Sequence, residues 1–208
     1  MDIVRETPIP DQGWTQRYDV LQELGDCYAS VGDYENARQC YEQASWLEPD
    51  EAGPYLGTGI IELQQGRAAD AEAAFRVAVR LDPCCSRAYA GLAMIAQQHA
   101  QHKQSFDFYL KSLELDSNNL TALLGLFQVS CQMGSFGNVI HYLKVYLQMH
   151  PGDASVMFCL AALYVREGQE LRARDLLRDI LAIGPEHEEA RKLLEEIENR
   201  TCRTGKES

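Results

Sequence analysis

Apolar residues recur along the chain in steps of three and four. Leu21, Leu24 and Tyr28 do so, and after a gap so do Ala37, Tyr41, Ala44 and Leu47. That spacing places each set on one face of a helix. Gly32 stands between the two runs, breaks the pattern and allows a turn. Pro49 closes the segment. It lacks the N–H needed to continue a helix and suits the start of the next one. The predicted unit is helix–turn–helix, with helices of about 13 residues and about 20 Å each.

The unit repeats. Leu-Glu-Pro ends at Pro49, Leu-Asp-Pro at Pro83, Leu-Asp-Ser at Ser117, Met-His-Pro at Pro151 and Ile-Gly-Pro at Pro185, each 34 residues after the last. Gly32, Gly66, Gly134 and Gly168 keep that step, with Ala100 in the third copy. So do Ala37, Ala71, Ser105, Val139 and Ala173, and the larger Tyr41, Phe75, Tyr109, Leu143 and Leu177. One hairpin cannot bury its own apolar face, so successive copies must stack and share a core. Gly25, Gly59, Ala93 and Ala161 mark where the two helices of a hairpin approach closely. The fourth copy departs, with Phe127, Val139 and Tyr146 in the close-approach columns. Its helices are expected to be splayed or shifted; compensating repacking is the alternative.

Five copies in phase resemble the tetratricopeptide repeat, whose signature is W-x2-L-G-x2-Y…A-x3-F…P. The first copy carries Leu21, Leu24-Gly25, Tyr28, Gly32, Ala37, Tyr41, Ala44 and Pro49; the second carries Tyr55, Gly59, Gly66, Ala71, Phe75, Ala78 and Pro83. The resemblance covers about residues 18–187. It implies an all-α fold, a right-handed α-solenoid of helix–turn–helix hairpins, with first helices lining a concave face and second helices the convex back. The expected organisation is a flexible segment 1–13, then 14–187 holding repeats at about 18–51, 52–85, 86–119, 120–153 and 154–187. An amphipathic capping helix 188–199 and a flexible tail 200–208 follow. Nothing obvious covers the first hairpin beyond Trp14.

Taken with that implied geometry, the register assigns a partner-binding groove. Its apolar contacts are Leu56, Ile60, Met94, Leu124, Phe158 and Val165; Gln64, Gln97, Gln98, Gln128 and Gln132 supply amides that both donate and accept; Arg166 adds a cation. Such a stripe suits an amphipathic helix or an extended peptide, although each apolar side chain has packing between neighbouring first helices as its alternative. Relatives that grip the acidic C-termini of heat-shock chaperones use a clamp of Lys, Asn and Arg. Here Gln22, Asp26, Leu56 and Ile60 stand at the corresponding positions, so that ligand is not expected.

Composition narrows the rest. The formal net charge of −12 disfavours nucleic acid and anionic membrane as partners. No stretch has the length and apolarity of a membrane span, and the first residues carry Asp2 and Glu6 in place of an apolar leader core. Seven cysteines, with no CxxC spacing, read as reduced thiols in a cytoplasmic protein; a bond between Cys84 and Cys85 would need a strained ring. No nucleophile or phosphate-loop motif occurs. His99 and His102 are too few for a metal site. The expectation is a non-enzymatic scaffold with neither cofactor nor metal, binding a protein or peptide. The alternatives are a secretion or assembly chaperone, suggested weakly by the Pro54–Gly59 run, and a self-assembling scaffold.

Overall fold

The computed structural model describes residues 12–204, with side chains from 17 to 199. Residues 1–11 and 205–208, most of the two segments expected to be flexible, and the side chain of Trp14 lie outside that range. The fold is an all-α solenoid of helix–turn–helix hairpins, with eleven helices and no strand among the described residues. Two compact units divide the chain, residues 1–115 and 116–208.

The first unit contains α1 (Gln12–Ser30), α2 (Tyr34–Leu47), α3 (Ala52–Gln64), α4 (Ala68–Leu81), α5 (Ser86–Gln98) and α6 (His102–Leu115). α1 pairs with α2, α3 with α4 and α5 with α6, and α2 and α4 also pack on the first helix that follows them, α3 and α5. Aromatic rings of the second helices hold this stack together. The Phe75 ring, 1% exposed, is wedged between two glycines on successive first helices. A Cβ on Gly59 would stand 2.6 Å from ring atoms Cδ1 and Cε1, and one on Gly91 2.8 Å from Cδ2. Tyr41 is held in the same way between Gly25 and Gly57. The first glycine of each pair follows from the repeat; the second was not singled out as a close-approach site.

The turns behave as the spacing requires. Gly32 and Gly66 adopt φ of 81° and 76°, and Ala100 is forced to 56° in the third copy. A side chain disfavours that left-handed region, so Ala100 carries local strain. Pro49 and Pro83 lie in the connecting loops and not in the first turn of the next helix, whose N-caps are Glu51 and Cys85.

The second unit contains α7 (Leu120–Met133), α8 (Gly137–Met149), α9 (Ala154–Arg166), α10 (Glu170–Ile183) and α11 (Glu188–Thr204). α9 and α10 form a close hairpin, whereas the α7 and α8 backbones approach each other over a much shorter stretch. The fourth copy's pair is thus the looser one, as expected of helices splayed or shifted apart. Val139 is fully buried and Tyr146 7% exposed, so bulk fills the space that Gly and Ala leave closed elsewhere. α11 lies on α10 through buried Ala190 and Ile197. It continues past 199 into the expected tail and is helical as far as the described residues reach, to Thr204. Its charged side pairs Lys192 with Glu188 at 3.6 Å, and Arg178 of α10 reaches Glu198 at 3.1 Å.

Candidate partner-binding faces

In the first unit each first helix turns one stripe to the core and leaves another outside. On α3, Pro54, Gly57, Gly59 and Ile61 are buried; Leu56 and Ile60 are half-buried against the core around Phe75, and Gln64 is exposed. On α5, Ala88, Leu92 and Ile95 are buried, Met94 and Gln97 half-buried, and Gln98 exposed. Two tyrosines of the second helices reach through to this outer stripe. The Tyr109 hydroxyl donates to Gln97 Oε1 at 2.9 Å, and that of Tyr41 donates to Asp26 at 2.7 Å. Burial pushes the Tyr109 pKa up to about 12. Burial, reinforced by the hydrogen bond to Asp26, raises that of Tyr41 as well. Both rings therefore remain donors at physiological pH, and they fix the side chains they hold.

In the second unit Leu124 is 39% exposed, and Gln128, Gln132 and Arg166 are exposed. Phe158 and Val165 are half-buried. Phe158 packs 5.4 Å from the ring of His187, whose Nδ1 accepts the Ala190 N–H at 3.2 Å and caps α11. The Arg166 guanidinium donates to the Cys131 carbonyl at 3.3 Å and lies 5.8 Å from the Phe136 ring. Phe158 and Arg166 thus already have partners within their own unit. None of the twelve groove positions is fully buried.

One functional-looking group escaped the sequence reading. Glu62 is only 5% exposed, in a column otherwise occupied by Tyr28, Ala96, Ser130 and Tyr164. Arg38 of α2 donates to its Oε1 through Nε at 3.1 Å and Nη2 at 2.7 Å, and Arg67, at the start of α4, pairs with Oε2. The hydrogen bond from Arg67 does most to hold the Glu62 carboxyl below its ordinary range; burial opposes it and Arg38 assists. This pins three successive helices and offers no reacting group. The available signal was a lone carboxylate inside a core column. His99 stands at the C-terminus of α5 and His102 at the first position of α6.

Comparison with known proteins places the architecture. Two models of the tetratricopeptide repeat match residues 23–84 and 86–119. These stretches of the chain are tetratricopeptide repeats. The chain's curated relatives include the human Protein O-mannosyl-transferase TMTC1, 24% identical over 182 residues, which cover 86% of this chain and 20% of the relative. The chain therefore spans only a fifth of that protein's length. Among solved structures, Pseudomonas aeruginosa PilF superposes with a TM-score of 0.72 at 18% identity, covering 86% of this chain and 81% of that one. YrrB, described as a TPR protein with an unusual peptide-binding site, gives 0.65 at 18% identity over 86% and 96% of the two chains. At such identity these likenesses speak for the fold.

Proposed function

We propose that the chain is a non-enzymatic scaffold that holds a segment of a partner protein on the outer stripe of its first helices. The observation that carries this reading is the split within each first helix. Side chains such as Ile61, Ile95 and Leu126 are 0–2% exposed, while Leu56, Met94 and Leu124, set off them around the same helices, keep accessible apolar surface. Rows of exposed glutamine beside them suit a backbone that presents both donors and acceptors. Leu56, Ile60, Gln64, Met94, Gln97 and Gln98 form this stripe in the first unit; Leu124, Gln128, Gln132, Phe158, Val165 and Arg166 form it in the second. A protein ligand in preference to nucleic acid accords with the net charge of −12, and a cytoplasmic setting with seven cysteines that show no CxxC spacing.

The chaperone alternative is weakened by packing. Gly57 and Gly59, in the run that suggested it, are accounted for by the Tyr41 and Phe75 rings seated on them. The direct test substitutes Leu124→Glu together with Gln128→Ala, both at exposed positions. Partners that co-purify with the native chain should be lost while the helical circular dichroism is unchanged. Retention of the same partners by the variant counts against the stripe.

A further inference from the structure

The outer side of α1 carries an apolar row with no counterpart elsewhere in the repeat. Val20 is 60% exposed and Leu24 40%, and Cys27 is exposed one turn on; Val31, 78% exposed, follows in the turn after the helix. Displaced by 34 residues, Val20 corresponds to Pro54 and Cys27 to Ile61. Pro54 and Ile61 are both buried, and Ile61 packs with Ala37 and Tyr41 of α2. On α5 the same positions are Ala88 and Ile95, buried against Ala71, Phe75 and Ala78 of α4. In both copies a second helix covers the positions of Val20 and Cys27, while the counterparts of Val31, Gln65 and His99, stay exposed; the Val20–Cys27 stretch of α1 thus has the shape and apolarity of a helix-receiving face.

Two features specify the occupant. At the position where Gly57 and Gly91 admit an aromatic ring, α1 carries Glu23, which is exposed. An incoming helix cannot place a ring there; it must bring a small side chain or a cation that pairs with the carboxylate. Asp19 and Asp26 also flank the row and are exposed, Asp26 while accepting the Tyr41 hydroxyl. A second copy docking through the same row would set these carboxylates against their like, which disfavours association. We infer that the α1 face docks an amphipathic helix of a partner protein whose apolar stripe is flanked by lysine or arginine, a lysine or arginine facing Glu23. This surface meets the outer stripe at Asp26 but contains none of the twelve groove positions, and it stands whether or not they bind a peptide.

Cys27 reports directly on this face, and exposed Cys84 serves as its internal reference. The full chain is alkylated with a maleimide at about 0.15 M salt, where non-specific attraction is screened beyond about 8 Å. Modification at each thiol is followed by mass spectrometry. An 18-residue Leu/Lys amphipathic peptide is the probe, and a Leu/Glu peptide of identical pattern the control. The free chain should label at Cys27 readily, and the Leu/Lys peptide should slow Cys27 at least tenfold while leaving Cys84 unchanged. Leu24→Glu or Val20→Glu should abolish that protection, Glu23→Lys should weaken it about tenfold, and Leu124→Glu should not alter it. Protection of Cys27 in the free chain at every concentration would assign the face to the chain's own first residues. Protection that grows with protein concentration would assign it to a second copy. Either result overturns the inference, as does equal protection by the Leu/Glu peptide or protection that survives Leu24→Glu.

Discussion

Replacing Gly91 by alanine sets helix propensity against packing, and the two predict opposite signs. Alanine in a helix interior is favoured over glycine by about 0.5–1 kcal/mol. The added Cβ, however, would stand 2.8 Å from Cδ2 of the Phe75 ring, against about 3.5–4.0 Å for an ordinary carbon contact. The ring cannot retreat, because Gly59 supports its other face and its surroundings leave it 1% exposed. Overpacking of this kind costs about 1–3 kcal/mol. The net expectation is a loss of about 1–2 kcal/mol, or about 0.5–1 M in the urea midpoint at a slope near 2 kcal/mol per M. Far-UV circular dichroism during urea unfolding measures it. A second arm places the same substitution in a Phe75→Leu background, where the narrower side chain should remove most of the penalty and expose the coupling between the two sites. A neutral or stabilising Gly91→Ala would refute the wedge, and so would an undiminished loss in the Phe75→Leu background.

Other consequences follow from single residues. Ala100→Gly relieves the left-handed strain at φ 56° and should stabilise the chain by about 0.5–1 kcal/mol in the same unfolding assay. Glu62→Gln should cost about 1.5 kcal/mol at neutral pH, near the low end for hydrogen bonds to a charged group because Arg38 and Arg67 retain solvent contact. The folded-state pKa of Glu62 lies below its unfolded value of about 4.3, so its contribution is complete above that value and disappears as the pH falls through the folded one. Acid titration of stability should accordingly be shallower in Glu62→Gln than in the parent chain.

The sequence was sufficient for the element type, the hairpin unit and its period, since each follows from local rules: apolar spacing, a turn residue and a helix breaker recurring in step. It also marked the fourth hairpin as the departure, because Phe127, Val139 and Tyr146 replace small residues in columns whose meaning is steric, but left open whether the helices would part or repack. The helix ends were less legible. α11 runs on past 199 because no glycine or proline interrupts residues 200–204, and the repeat period does not say where a helix stops.

What the tertiary structure alone decided concerns groups whose partners are distant in sequence. Gly91 is unremarkable until the Phe75 ring lies on it, and Glu62 is a misplaced charge until Arg38, 24 residues away, turns towards it. The groove residues divide in the same way: Gln97 and Arg166 look alike as polar surface positions, yet Tyr109 holds the first and the Cys131 carbonyl the second. The exposed row on α1 is apolar in the sequence just as Ile61 is, and only the stacking of one helix on the next determines which of them is covered. Periodicity is a property of the chain taken locally, whereas burial is a property of what arrives from elsewhere.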